Sequence, residues 1–255
     1  MSLPVFSSWD VLLIVIVSLE AVLLAYISAP RWKAFFLSTP IPFSISFMSV
    51  GMPLDVTNVT AILLVFAYTH AVRILHYTLK LPILLSILIS ALGYSIFGSL
   101  LAKHMPRTEL AFWIVVGIVV ITAILGLRYT PDHVEPGHKT AIPLQIKIPL
   151  TVLLVVAIIL AKNSLQGFMT AFPMLGVFGS YEGRKSLWTN CRQMPLLLII
   201  FLPLTVTMKL FQPMTGPGIA LLIGWIPALI VLLSLFIKTQ KKIAKESKDA
   251  KARPV

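Results

Sequence analysis

Acidic side chains are scarce in this chain. Nine Asp and Glu stand against 21 Lys and Arg, and charged residues make up 12% of 255 while hydrophobic ones make up 58%. A soluble domain of this length carries about twice that charged share. No segment is long and polar enough to form a separate soluble domain. The dyad alternation of a membrane β-barrel is absent too. The single cysteine, Cys191, excludes an intrachain disulfide and any multi-cysteine zinc site. There is no G-x-S-x-G, no phosphate loop, no H-E-x-x-H and no pair of catalytic carboxylates, so no cofactor and no catalytic residue is assigned. The first ten residues hold no basic side chain, so the first hydrophobic run reads as a retained span rather than a signal peptide.

What is present is a series of long apolar runs, which define an all-α polytopic membrane protein. Clear spans cover residues 11–29, 59–77, 83–102, 110–127 and 219–237. Two others are shorter or broken: 148–161, between Lys147 and Lys162, whose long side chains can snorkel, and 194–211, which contains Pro195 and Pro203. Pro203 predicts a kink, because proline removes a helix hydrogen bond and clashes with the preceding turn. Residues 34–52, with Pro40, Pro42 and Ser44, and 166–180, with Thr170, Pro173 and Gly176, differ in kind. Both are apolar enough to lie in the membrane and too interrupted for a plain helix. They read as broken helices or re-entrant loops, whose freed backbone groups must face protein or a cavity.

The order span, broken segment, span, span occurs twice. A shift of 133 residues aligns Pro40 with Pro173 and Phe35 with Phe168. This divides the chain into a first repeat (1–109), a connector span and loop (110–143), a second repeat (144–237) and a basic tail (238–255). Seven to nine membrane segments result. If both broken segments cross, there are nine and the repeats are inverted; if both are re-entrant, there are seven and the repeats are parallel. Lys and Arg outside the spans divide 16 to 3 in the first case and 15 to 4 in the second, which does not separate them. Both place the N-terminus outside and the tail, with seven basic and two acidic residues, in the cytoplasm beside anionic lipid. No aromatic or motif context accompanies that charge, so nucleic acid is not a partner.

Glu20 lies in the middle of the first run and is the carboxylate that hydropathy places at membrane depth. A charge there is costly unless paired, protonated or facing water, so it reads as functional. His70, Arg73 and His76 form a stripe on the span 59–77. Similar depth allows Glu20 to pair with His70 or Arg73. In the loop before the run 194–211, Arg184 and Arg192 are candidate contacts for an anion or a lipid headgroup. Asp132, His133, Glu135 and His138 in the central loop are metal-capable, but their spacing matches no metal site.

The stretch A-P-R-W-K-A-F-F-L-S-T-P-I-P-F-S at residues 29–44 resembles a P-R-x-x-x-x-L-x-x-x-P-type segment of uncharacterised bacterial inner-membrane proteins. Residues 167–174, G-F-M-T-A-F-P-M, are similar to the T-F-P segment of the same group, single-copy versions of which occur in small membrane proteins of the GlpM type. The resemblance implies duplication and a bacterial inner membrane, and brings no established activity. The sequence thus leads to a small proton-coupled secondary transporter or carrier for a small solute, rather than an enzyme. Pro40, Ser44, Thr170 and Pro173 would form the solute site near the midplane, and Glu20, His70 and Arg73 would handle the proton. The alternatives are a membrane-embedded lipid-headgroup enzyme or flippase, and a non-catalytic scaffold. Composition fixes neither the solute nor the oligomeric state.

Overall fold

The computed structural model describes residues 6–27, 32, 36–37, 39–130 and 143–251. Arg31, Lys33, Phe35 and the metal-capable side chains of the central loop lie outside the described residues. The described residues are mostly helical, with no strand among them. The helices are α1 (Ser8–Tyr26), α2 (Ile41–Val50), α3 (Val56–Arg73), α4 (Ile83–His104), α5 (Glu109–Tyr129), α6 (Leu144–Leu160), α7 (Lys162–Leu165), α8 (Met174–Glu182) and α9 (Leu187–Lys251). A π turn, Ile74–Thr78, continues α3, and a 3-10 segment, Gln166–Ala171, joins α7 to α8. Four stretches are long and apolar enough to cross a membrane: Val56–Thr78, Ile83–His104, Glu109–Tyr129 and Leu187–Lys238. The pair Leu144–Leu160 and Lys162–Ala171, bent by 57°, makes a fifth.

Local chemistry sets the helix starts. Ser7 and Asp10 form a reciprocal capping box on α1, and Asp55 and Asn58 form one on α3. Thr108 caps α5. α9 stays helical through Pro203, so the expected effect of that proline is at most a bend. The non-helical residue is Gly216, whose φ of 78° favours glycine, and it divides α9 into two helices.

α3 is the central helix, packed against α4, α5, α9 and the 3-10 segment. α1 packs on α2, α6 and α8. Its buried positions, Asp10, Leu13, Val17, Glu20, Ala21 and Leu24, recur at helical spacing along one face. They meet the face of α6 that carries Thr151, Val155 and Ile158. A second core joins Phe43 and Phe47 of α2 to Phe112 of α5 and Leu198, Phe201 and Leu204 of α9.

Polar contacts collect at two ends of this bundle. At one, Asp10 binds Ser49 and Lys162, Arg107 meets Asp55 and Gln166, Gln212 accepts from the Leu54 amide, and Lys209 meets Glu109. At the other, Lys147 is bonded to Glu182, Tyr77 donates to the Arg184 carbonyl, and Trp32 packs on Phe236. The chain runs between these two ends. α1 and α6 are antiparallel, since the start of α1 meets the end of α6 through Asp10 and Lys162, 2.7 Å apart. α3 and the first half of α9 are antiparallel for the same kind of reason.

Candidate functional site

The two proline-broken segments come together. Pro40 precedes α2 and Pro173 precedes α8, each as the N-cap residue of a short helix. A ten-residue helix spans roughly 15 Å, half of a bilayer core of roughly 30 Å. Ser49, near the end of α2, sits at one end of the bundle, and Glu182, the end of α8, sits at the other. Both prolines therefore lie near mid-depth, approached from opposite ends.

The backbone groups freed at these breaks are satisfied from within the protein. The Pro40 carbonyl accepts the Ser44 amide at 3.0 Å and the Ser44 hydroxyl at 2.7 Å. Ser44 in turn accepts the Trp225 indole N–H at 2.8 Å. In the second segment Thr170 donates to the Gly167 carbonyl at 2.6 Å and accepts from Asn58 of α3 at 3.3 Å. Tyr94 of α4 donates to the Phe168 carbonyl at 2.7 Å. Pro173 (φ −74°, ψ 54°) sits in a tight turn in which the Met174 amide donates to the Phe172 carbonyl.

Between the segments lies a cavity of about 760 Å³, counting its open mouth. Thr39, Pro42 and Phe43 line it from the first segment, and Thr170, Pro173 and Gly176 from the second. Thr69 of α3 and Asn190 and Gln193 of α9 complete its polar wall. No Asp, Glu, Lys, Arg or His among the described residues lines it. The Gln193 side-chain amide has no hydrogen-bond partner among the described residues and is available to a ligand.

Glu20 is 6% exposed, and neither carboxylate oxygen has a hydrogen-bond partner among the described residues. It follows the Asp10 end of α1 by ten residues, roughly 15 Å, and so shares the depth of the prolines. It is not among the residues lining the cavity. The expected pairing with His70 or Arg73 does not form. α1 packs on α2, α6 and α8, whereas His70 and Arg73 belong to α3, whose main neighbours are α4, α5, α9 and the 3-10 segment. Equal depth did not make the two helices neighbours. His70 instead donates from Nδ1 to the Phe66 carbonyl at 2.9 Å and stacks on the Phe66 ring. Arg73 lies 3.8 Å over the Trp188 ring, with Nε buried and without a hydrogen-bond partner among the described residues. Arg184 bonds the Tyr181 carbonyl at 3.3 Å. Arg192 is half-buried, one helical turn beyond Trp188.

Glu20 is also not the sole buried acid. Asp10 is fully buried, and the Lys147 and Glu182 side chains are 5% and 6% exposed. Lys147 and Lys162 do not snorkel freely; each holds a carboxylate. The flanking of the short run 148–161 by two lysines was the visible signal, but their partners are far along the chain. Asn190 and Gln193 were also missed, because an amide at the start of a helix has no distinctive spacing.

Comparison with known protein families, characterised proteins and solved structures returns no match.

Proposed function

We propose that the protein is a small secondary carrier built from two inverted repeats, with its solute site in the cavity between the Pro40 and Pro173 segments. The observation that carries this reading is that both broken segments, aligned in sequence by the 133-residue shift, line one cavity at mid-depth. Paired discontinuous helices meeting near the midplane are the recurrent form of a transporter site. The grouping of helix ends supports nine crossings, with α9 counted twice across Gly216. Re-entrant segments would return Ser49 to the end opposite Asp10, yet the two are bonded.

Inversion is supported by tethers that occur once in each half. In the first, Asp10 in the opening turn of α1 binds Ser49 near the end of α2; in the second, Lys147 in the opening turn of α6 binds Glu182 at the end of α8. The tethers lie at opposite ends of the bundle, as a twofold axis in the membrane plane requires. The same duplication is what the GlpM-type resemblance implies.

The cavity lies toward the end that carries Arg184, next to Ser180, Asn190 and Gln193. Thr170 and Ala171 of the 3-10 segment bound it toward the other end, where Arg107 is bonded to Asp55 and Gln166. With the basic tail cytoplasmic, this is an inward-facing arrangement. Glu20, at the same depth on a helix packed against α2 and α8, is the group that takes up and releases the proton as these helices shift. The test is proton movement driven by small solutes into proteoliposomes of the purified protein in a bacterial inner-membrane lipid mixture. The reading expects protein-dependent proton movement with at least one solute of a broad panel, lost in Glu20→Gln. Solute movement that Glu20→Gln leaves coupled to protons would remove Glu20 from the mechanism, and a panel without any flux would remove the carrier.

A further inference from the structure

The polar inventory of the cavity is unusual for a site in so basic a protein. Its lining holds hydroxyls from Thr39, Thr69, Thr170 and Ser180 and amides from Asn190 and Gln193, on a wall otherwise made of Leu, Phe, Pro, Val, Met, Ala and Gly side chains. The chain has 21 Lys and Arg, and none of those among the described residues lines this wall. The cations nearest in sequence are engaged elsewhere or have contacts of their own: Arg73 lies over the Trp188 ring, Arg184 bonds the Tyr181 carbonyl, and Arg192, next to Gln193, is half-buried and partnered. An ion entering the cavity would lose its hydration against an apolar wall and gain no counter-charge, which disfavours it strongly. A neutral molecule with one or two hydrogen-bonding groups loses far less. It can bond the Gln193 amide at one end and bury an apolar body against Phe43, Phe172 and Leu197.

We infer that the cavity binds an uncharged, partly apolar solute with an amide or hydroxyl head, and discriminates against organic anions and cations of the same size. This rests on the carrier reading for its purpose, but the binding claim can be tested without transport. The protein in lipid nanodiscs is melted with butanamide or hexane-1,2-diol, and with butanoate or butylammonium as charged counterparts. At saturating concentration each neutral probe is expected to raise the melting temperature by about 2 °C or more, and the charged probes to leave it unchanged. Gln193→Trp, which fills the mouth, is expected to abolish the shift. Gln193→Leu, of similar volume, is the milder variant and is expected to cut the butanamide shift by at least about half. Equal shifts from the charged probes, shifts that survive both variants, or no shift from either neutral probe would overturn the inference. Solute flux observed together with any of these would leave the carrier standing with a different solute class. Neutral binding without flux in the vesicle test would leave the binding site standing without the carrier.

Discussion

Single residues decide how tightly the second broken segment seats on α3. Gly167 lies where a Cβ would stand 2.0 Å from the Thr57 hydroxyl oxygen and 3.0 Å from the Asn58 amide nitrogen. Gly167→Ala therefore forces the 3-10 segment away from the start of α3, and a loss of about 1–3 kcal/mol is expected. Adding Thr57→Ala, which removes the closer atom, should recover part of that loss in thermal melts of the purified protein. No recovery would show that the contacts Thr57→Ala retains, with the Asn58 amide nitrogen and the Thr57 Cβ at 3.0 Å each, are limiting. Glu20 gives the opposite expectation. Because its oxygens have no partner among the described residues, Glu20→Gln orphans no cation and should change stability by less than about 1 kcal/mol. A drop of several kcal/mol would mean that Glu20 holds a structural ion pair.

At the scale of elements, the short helices α2 and α8 are held in place by polar tethers to α1 and α6. Lys147 and Glu182 are both buried, so removing one leaves the other's charge without its closest partner, and a loss of about 3–5 kcal/mol is expected for Lys147→Met or Glu182→Gln alone. The double variant should lose less than the sum of the singles, and a coupling energy near zero in that cycle would contradict the tether. This is also where the limits of sequence reading lie. The breaks at Pro40 and Pro173 were legible because proline has no amide proton to give a helix, whatever surrounds it. The tethers were not, since hydropathy gives the depth of Lys147 or Asp10 but not which distant helix lies beside it. Glu20 and His70 were matched by depth alone, and the packing of α1 on α6 rather than α3 separated them.

For the whole molecule, the nine crossings proposed above would fix the side of every loop. Reporter fusions after His104 should report the outside, and those after Thr78, after Lys185 and in the tail should report the cytoplasm; a tail and a His104 loop on the same side would exclude the topology. The deeper claim is that the cavity between the broken segments is the path of the solute. It is tested by replacing the buried native cysteine, Cys191→Ala, and placing one thiol on the cavity wall with Met194→Cys, which leaves the Gln193 amide in place. Proteoliposomes of this variant are assayed for solute flux before and after a membrane-impermeant methanethiosulfonate reagent, and again after reduction. The account predicts that labelling proceeds from the tail side, that it abolishes flux, and that reduction restores it. Complete labelling of the thiol at position 194 with flux unchanged would contradict it.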